Sequence, residues 1–143
     1  MAKPSRRARR LIASQDGIAA LEFAMLAPAL LLLIFGIVIY SIYFATLLGV
    51  RQAAAEGARA AVAGLSTSER TTLARARALE VIATYGSILE GGTPTVTTTA
   101  LGTGTFAVTV SYNMSASPIM NYTFVPVPTR RLEATVTVTN GSY

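Results

Sequence analysis

A long apolar run near the N-terminus dominates the pattern of hydrophobic and polar positions. Twenty-eight consecutive residues, from Phe23 to Val50, carry no formal charge. As an α-helix this run reaches about 42 Å, which exceeds the roughly 30 Å hydrocarbon core of a bilayer. Tyr40 and Tyr43 lie toward its outer half, where aromatic rings often mark the membrane interface. The pattern therefore predicts a transmembrane helix.

The helix is predicted to leave the membrane as an amphipathic, alanine-rich stalk that extends to about Ala63. Gln52, Glu56 and Arg59 stand at i, i+4 and i+7, so they form one polar stripe. A different side of the stalk is lined by Ala54, Ala58, Ala61 and Leu65. Small residues of this kind allow two helices to approach closely.

A second, shorter helix is predicted from the capping signal that follows Gly64. Ser66 and Glu69 have the spacing of a capping box, in which each side chain accepts a hydrogen bond from a backbone N–H at the helix start. We expect this helix to run to about Ser87. Its predicted apolar positions are Leu73, Ala76, Leu79, Ile82 and either Gly86 or Leu89.

Beyond the Gly-Gly-Thr-Pro break at 91–94, apolar residues alternate with polar ones, which predicts three strands with one buried face. Residues 101–104 should form the turn of a hairpin, and residues 115–129, with three prolines, a long loop before the third strand. The alternating positions are Val96, Thr98 and Ala100; Phe106, Val108, Val110, Tyr112 and Met114; and Leu132, Ala134, Val136 and Val138. The simplest closure is an α+β head in which a small three-stranded antiparallel sheet carries the second helix on its apolar face.

The basic character of the chain belongs to its N-terminal end. The net charge is +5, yet five of the twelve positive charges lie within residues 3–10, and beyond residue 17 seven arginines are nearly balanced by six glutamates. Positive residues stay on the cytoplasmic side of a membrane, so we expect the head outside and no nucleic-acid partner. The predicted organisation is a basic cytoplasmic leader (1–17), a transmembrane helix with its stalk (18–64) and a small exported head (65–143).

The residue types on which most enzymes depend are missing from the exported part. The chain has no histidine and no cysteine, and its one lysine, Lys3, and one aspartate, Asp16, lie on the cytoplasmic side of the span. The exported part therefore cannot build a Ser-His-Asp triad, a Ser-Lys dyad or a thiol nucleophile, and it lacks the preferred ligands of zinc. Its helical glutamates lie beside arginines, as on a solvated face with weak ion pairs. We expect no catalysis, no metal and no cofactor.

The most specific motif opens the apolar run, and it reads Gly17-Ile-Ala-Ala-Leu-Glu22-Phe23-Ala-Met-Leu-Ala-Pro28. This segment resembles the start of the TadE-like family, minor pilins of tight-adherence (Tad/Flp) pilus systems. The resemblance runs to about Gly64 and implies a pilin-like fold and a prepilin-like life. A prepilin peptidase would cut between Gly17 and Ile18. Glu22 and Phe23 would then serve recognition and assembly.

The chemistry of the motif agrees with that expectation. An unpaired charge in lipid costs roughly 2 to 3 kcal/mol near the bilayer centre and less toward its edge. The Glu22 carboxylate of one subunit would therefore be stabilised by the new Ile18 amine of a neighbour. The competing interpretation is an acid that simply lies at the headgroup boundary. Pro28 removes one helix hydrogen bond and is predicted to kink the helix, which a membrane helix tolerates.

The sequence thus predicts a non-enzymatic minor pilin or pseudopilin in the inner membrane, with its head in the periplasm or on an extracellular pilus. The expected partners are the prepilin peptidase, other pilins, the inner-membrane assembly platform and membrane lipid. The alternative is a tethered or signal-cleaved binding module unrelated to pili, because Ala53-Ala-Ala55 and Ala58-Arg-Ala60 fit a signal-peptidase site. Against that alternative, the apolar region is about twice as long as the roughly 15 residues that a signal peptide allows. A pore-forming peptide is a poorer interpretation, because a single span joined to a β-rich outer domain is poor material for a pore.

Overall fold

A computed structural model of the chain describes residues 15–86, 92–102, 104–118 and 124–139. Its elements in chain order are helix α1 (Gln15–Ala61), helix α2 (Thr67–Thr84) and strands β1 (Pro94–Ala100), β2 (Thr105–Asn113) and β3 (Arg131–Thr139). The predicted α+β class is confirmed: a long N-terminal apolar helix, a shorter second helix and a three-stranded antiparallel sheet. The leader before residue 15 lies outside the described residues. Helix α2 ends at Thr84, three residues before the predicted end near Ser87, and Tyr85 is its C-cap.

The chain divides into two compact units, Met1–Val38 and Ile39–Tyr143. In the first unit, every large apolar side chain of α1 from Ile18 onward is at least 46% exposed. The second unit contains the last part of α1, α2 and the sheet. The predicted domain boundaries at residues 17 and 64 stay predictions.

The last part of α1 supplies one side of the core of the second unit. Its buried residues recur every three or four positions, as expected for one helix face: Ile39, Tyr43, Thr46, Val50, Ala53, Ala54, Ala58 and Ala61. The predicted alanine side is thereby confirmed, and Gln52 and Arg59 are exposed as predicted. The assignment of Leu65 to this side is wrong. Leu65 is 95% exposed, because α1 ends at Ala61 and Leu65 lies in the following turn.

Strand β2 is the central strand of the sheet, whose order is β1-β2-β3. The antiparallel register places Val110 opposite Val96 on one side and opposite Ala134 on the other. All five predicted inward positions along the second strand are at most 2% exposed: Phe106, Val108, Val110, Tyr112 and Met114. The period-two pattern therefore predicted the inner face of β2 correctly.

The predicted hairpin between β1 and β2 is also confirmed. The Leu101 N–H donates a hydrogen bond of 2.9 Å to the Thr105 carbonyl oxygen. Gly102 and Gly104 have φ angles of 112° and 77°, in the left-handed region that favours glycine. The two glycines therefore permit the reversal of the chain between the strands.

Helix α2 begins where its capping signal predicts. Ser66 Oγ accepts a hydrogen bond from the Glu69 N–H at 3.2 Å, and Glu69 Oε2 accepts one from the Leu65 N–H at 2.9 Å. The predicted apolar side is only partly right, because Ala76 and Leu79 are exposed. The buried residues are Ala74, Ala78, Val81 and Ile82. Large aliphatic side chains were expected to point inward, but α1 lies so close that alanines fill the contact.

The close contact between the elements is centred on Gly57 of α1. A Cβ atom on Gly57 would lie 2.9 Å from the carbonyl oxygen of Ala74, 3.1 Å from Cβ of Ala78 and 3.4 Å from Cγ1 of Val108. Only a residue without a side chain fits there without displacing a neighbour. Gly57 thus allows α1, α2 and β2 to meet at one point.

Candidate membrane and assembly segment

The predicted site residues all lie on the first part of α1. Gly17, Ile18, Glu22 and Phe23 fall within its first three turns, and Pro28 follows in the same helix. All five are exposed, and the side chains of Ile18 and Phe23 are 54% and 66% exposed. The segment therefore presents one acidic group within a continuous apolar surface, which suits contact with lipid or with another apolar helix.

Glu22 is the one formally charged residue between Ile18 and Val50. None of the ion pairs in the described part of the chain includes its carboxylate. Ile18 precedes Glu22 by four residues, so the two residues share one side of the helix, about 6 Å apart along its axis. The carboxylate lies about one turn from the backbone nitrogen that cleavage after Gly17 would convert into an amine.

The Gly17–Ile18 peptide bond lies in the first turn of α1, which begins at Gln15. A protease binds its substrate with the backbone extended, so this turn must open before the bond can be cut. Gly17 favours this opening, because its backbone adopts extended conformations readily.

Pro28 lies inside α1 and does not end the helix. Proline has no N–H, so the carbonyl group of Ala24 loses its intrahelical hydrogen bond. Neighbouring groups in a membrane can satisfy such a carbonyl. The bend expected at Pro28 stays a prediction.

The exposed apolar part of α1 is shorter than the uncharged run in the sequence. Residues 18–38 rise about 32 Å as a helix, close to the roughly 30 Å hydrocarbon core. The remaining apolar residues belong to the second unit, where Tyr43 and Val50 are 5% and 0% exposed. The ring of Tyr43 is part of the core, and its predicted position near the membrane interface stays a prediction. Within the described residues, α1 is the one helix long and apolar enough to cross a membrane.

The charged residues of the second unit form exposed ion pairs between and along the helices. Glu56 pairs with Arg59 at 2.6 Å and lies 3.8 Å from Arg77, which pairs with Glu80 at 2.9 Å. The hydrogen bond and the negative charge of Glu80 raise the pKa of Arg77. The expected solvated pairing is confirmed for Arg77 and Glu80, whereas Glu90 lies outside the described residues. Each of these carboxylates already has a cation beside it, so the network resembles a surface pairing rather than a reactive site.

The sequence-based reasoning missed a contact between α1 and the loop before β3. The Tyr40 hydroxyl donates a hydrogen bond of 2.6 Å to the carbonyl oxygen of Pro126. The centroid of the Tyr40 ring lies 6.1 Å from that of Phe44. Phe44 is 53% exposed, and Phe124, two residues before Pro126, is 49% exposed. The two sides of this contact are separated by 86 positions, so no local pattern could have predicted it.

The fold and this segment define an α+β protein whose N-terminal apolar helix suits membrane anchoring. Residues 17–59 match the family model described as TadE-like protein, which confirms the predicted resemblance over most of α1. TadE-like proteins are structural proteins associated with the Tad pilus, and the match covers 43 of the 143 residues of this chain. No similar curated protein and no similar solved structure was found.

Proposed function

We propose that the chain is a minor pilin or pseudopilin of a Tad/Flp-type pilus. In this proposal residues 18–38 anchor it in the inner membrane, its leader is cytoplasmic and its head lies in the periplasm or on the assembled pilus. The observation that carries the proposal is the TadE-like match of residues 17–59, which coincides with the exposed apolar helix. The positive charges within residues 3–10 support the orientation.

The leader is removed by a prepilin peptidase that cuts between Gly17 and Ile18. The proposed bond follows Gly17, whose backbone readily adopts the extended conformation that a protease binds. Removal of residues 1–17 takes away the five positive charges of the leader and leaves a mature helix that begins with an amine at Ile18. The same helix keeps Glu22 as its fifth residue.

Glu22 assists assembly by pairing with the Ile18 amine of a neighbouring subunit. In lipid, either charge alone costs roughly 2 to 3 kcal/mol near the centre and less near the edge, so bringing the two together stabilises the assembled state. The pair forms only when two helices are aligned along their axes, so it also selects the register between subunits. The partners of this surface are other pilins, reached through the exposed side chains around Phe23, and the inner-membrane assembly platform.

The alternative of a signal-cleaved module receives little support from the packing. Cleavage after Ala55 or Ala60 would fall inside α1. It would separate Val50, Ala53 and Ala54, all 0% exposed, from the rest of the core. Loss of several buried side chains, each contributing on the order of 1 to 3 kcal/mol, exceeds what a small domain tolerates.

The proposal is tested by measuring the intact mass and the N-terminal sequence of the full chain after co-expression with a Tad prepilin peptidase. An inactive peptidase variant serves as the control. We expect a mature chain that begins at Ile18 with the active enzyme and an unprocessed chain with the inactive one. A chain that keeps its leader in both samples would exclude processing at Gly17, and a chain that begins near residue 56 or 61 would establish the signal-peptide alternative.

A further inference from the structure

We infer that residues 124–130, which directly precede β3, form a second membrane contact. In this inference Phe124 inserts into the interfacial layer of the bilayer beside Tyr40, while Arg130 and Arg131 attract anionic lipid headgroups. The inference rests on the proposed membrane anchoring by residues 18–38 and adds a lipid-binding surface on the head itself.

The position of Tyr40 follows from the connection between the span and the head. With residues 18–38 in the hydrocarbon core, Tyr40 lies two residues beyond it, which is about 3 Å of helix rise. Side chains of an α-helix lean toward its N-terminus, so we expect the Tyr40 hydroxyl on the membrane side of its own Cα. Tyrosine is favoured at this depth, because its ring is apolar and its hydroxyl can form hydrogen bonds.

The hydrogen bond between Tyr40 and Pro126 holds the loop at the same depth. The hydroxyl and the Pro126 carbonyl oxygen are 2.6 Å apart, and Phe124 is only two residues, at most about 7 Å of chain, from Pro126. Phe124 is 49% exposed. The hydrogen bond and the short chain distance thus keep Phe124 within about 7 Å of chain from the carbonyl group that Tyr40 binds.

The composition of the loop suits the interfacial layer. Residues 124–128 read Phe-Val-Pro-Val-Pro and contain no charge and no polar side chain. Pro126 and Pro128 have no N–H to desolvate, and the Pro126 carbonyl is already hydrogen-bonded. Exposed apolar segments of this kind are rare on the surface of a soluble domain unless they contact a partner.

Two cations follow the apolar loop directly. Arg130 and Arg131 are both exposed. The side chain of Arg131 is 69% accessible, and its nearest carboxylate is that of Glu133, at 3.8 Å. Apolar insertion flanked by arginines is typical of segments that bind the interface of anionic membranes. The favoured lipid surface is therefore one that contains anionic headgroups.

The chain has no tryptophan, so a single introduced tryptophan reports the depth of its own position. The test compares three full-length variants in phosphatidylcholine–phosphatidylglycerol vesicles whose acyl chains are brominated near the headgroup or near the methyl end. Phe124→Trp reports the loop and Leu31→Trp the span. Leu101→Trp is the matched control, because Leu101 is 57% exposed and lies in the β1–β2 turn, at the opposite end of β2 from Asn113, which pairs with Arg131 at the start of β3.

We expect lipid brominated near the headgroup to quench about half of the Phe124→Trp fluorescence and very little of the Leu101→Trp fluorescence. Leu31→Trp should be quenched most by bromine near the methyl end.

Absence of quenching at Leu31→Trp would exclude the membrane anchor, and with it the proposed function. Quenching at Leu31→Trp without quenching at Phe124→Trp would exclude only the loop contact, as would equal quenching at Phe124→Trp and Leu101→Trp. A blue-shifted but unquenched Phe124→Trp signal would indicate a protein partner and overturn the inference.

A double substitution tests the role of the two arginines, and one further variant replaces Phe124→Trp if that variant does not fold. Arg130→Gln combined with Arg131→Gln should reduce quenching of Phe124→Trp in vesicles with phosphatidylglycerol to the level found in phosphatidylcholine alone. Equal quenching with and without the arginines would exclude their role. If Phe124→Trp lacks the thermal transition of the unsubstituted chain, Pro128→Trp, also at an exposed position, provides the same depth measurement.

Discussion

Gly57 of α1 and Ala74 of α2 approach so closely that a Cβ on Gly57 would lie 2.9 Å from the Ala74 carbonyl oxygen. The neighbouring alanines Ala58 and Ala78 are each 0% exposed. Small residues on both helices therefore form the contact between α1 and α2, which we call the seam. The alanine-rich stalk is thus a packed part of the second unit. In isolation the same residues would suggest contact between different subunits, since small residues also favour helix pairing in membranes.

Gly57→Ala should lower the free energy of unfolding of the head by about 1 to 3 kcal/mol, because the added methyl group overpacks the seam. The gain of about 1 kcal/mol in helix propensity does not compensate for displacing a backbone carbonyl. Gly36→Ala is the control, because a Cβ at Gly36 has nothing within 4 Å. Thermal unfolding in detergent, followed by circular dichroism, measures both. A Gly57→Ala variant as stable as Gly36→Ala would contradict the close packing.

Glu22→Ala and Glu22→Gln should both reduce the yield of surface pili at least about tenfold, because each removes a charge whose pairing contributes on the order of 2 kcal/mol. Membrane insertion should be unchanged, since both substitutions make the helix more apolar. Glu80→Gln, which changes an exposed carboxylate of the head, is the control. Sheared pilus fractions and membrane fractions, both blotted for the chain, provide the readout. Full pilus yield from Glu22→Gln would argue for an acid that only marks the headgroup boundary.

Gly17→Val should leave the chain unprocessed, because glycine leaves the proposed bond sterically unhindered and the branched side chain of valine adds bulk beside it. Ala19→Val places the same side chain two residues past Gly17, at another exposed position, and should still be processed. The mass of each chain after co-expression with the peptidase distinguishes the two outcomes. Mature-sized Gly17→Val protein would show that the cut lies elsewhere.

Titration of Tyr112 should lower the free energy of unfolding of the head at alkaline pH. The residue is 1% exposed, and burial raises the pKa of its phenol, an effect that the nearby Gly92 backbone only partly opposes. The unfolded chain, with an ordinary tyrosine pKa of about 10, therefore loses this proton first as the pH rises. The stabilisation is fully present below about pH 10 and is lost as the pH rises through the folded-state pKa.

Tyr112→Phe removes this titration, so its unfolding free energy should fall less steeply above about pH 10 than that of the unsubstituted chain. Near neutral pH the variant should be at least as stable as the unsubstituted chain, because the buried Tyr112 hydroxyl has no well-aligned hydrogen-bond partner among the described residues for the substitution to remove. Tyr85→Phe is the control, as the Tyr85 hydroxyl is exposed and donates to Gln52 at 2.6 Å. Urea unfolding across the alkaline range measures the difference. Parallel curves for Tyr112→Phe and the unsubstituted chain would exclude the effect.

Local signals predicted most of the secondary structure. Alternation identified the buried face of β2, including Phe106 and Met114, and the spacing of Ser66 and Glu69 identified the start of α2. The apolar run and its opening motif identified the candidate segment that begins at Gly17. These features depend on residues within a few positions of one another, so the sequence displays them directly.

The predictions from the sequence were wrong or incomplete at positions whose burial depends on residues distant in the chain. Leu79 satisfied the helical period but is exposed, because Ala74 and Ala78 leave room for α1. The sequence pattern did not predict the burial of Tyr43 in the head either. The spacing of residues along one helix carries no information on where a second element packs. The burial of these residues therefore could not be predicted from the sequence.

The sequence by itself determined the class of elements, the position of the apolar helix, the lone carboxylate within it and the TadE-like resemblance. Those properties follow from charge, hydropathy and short-range periodicity. Only the tertiary structure decided where the apolar helix stops being exposed, which side of α2 is buried, and that Tyr40 bonds to the loop at Pro126. The physical reason is that burial depends on contacts between segments as far as 86 positions apart, and packing selects side chains by size and shape as well as by hydrophobicity.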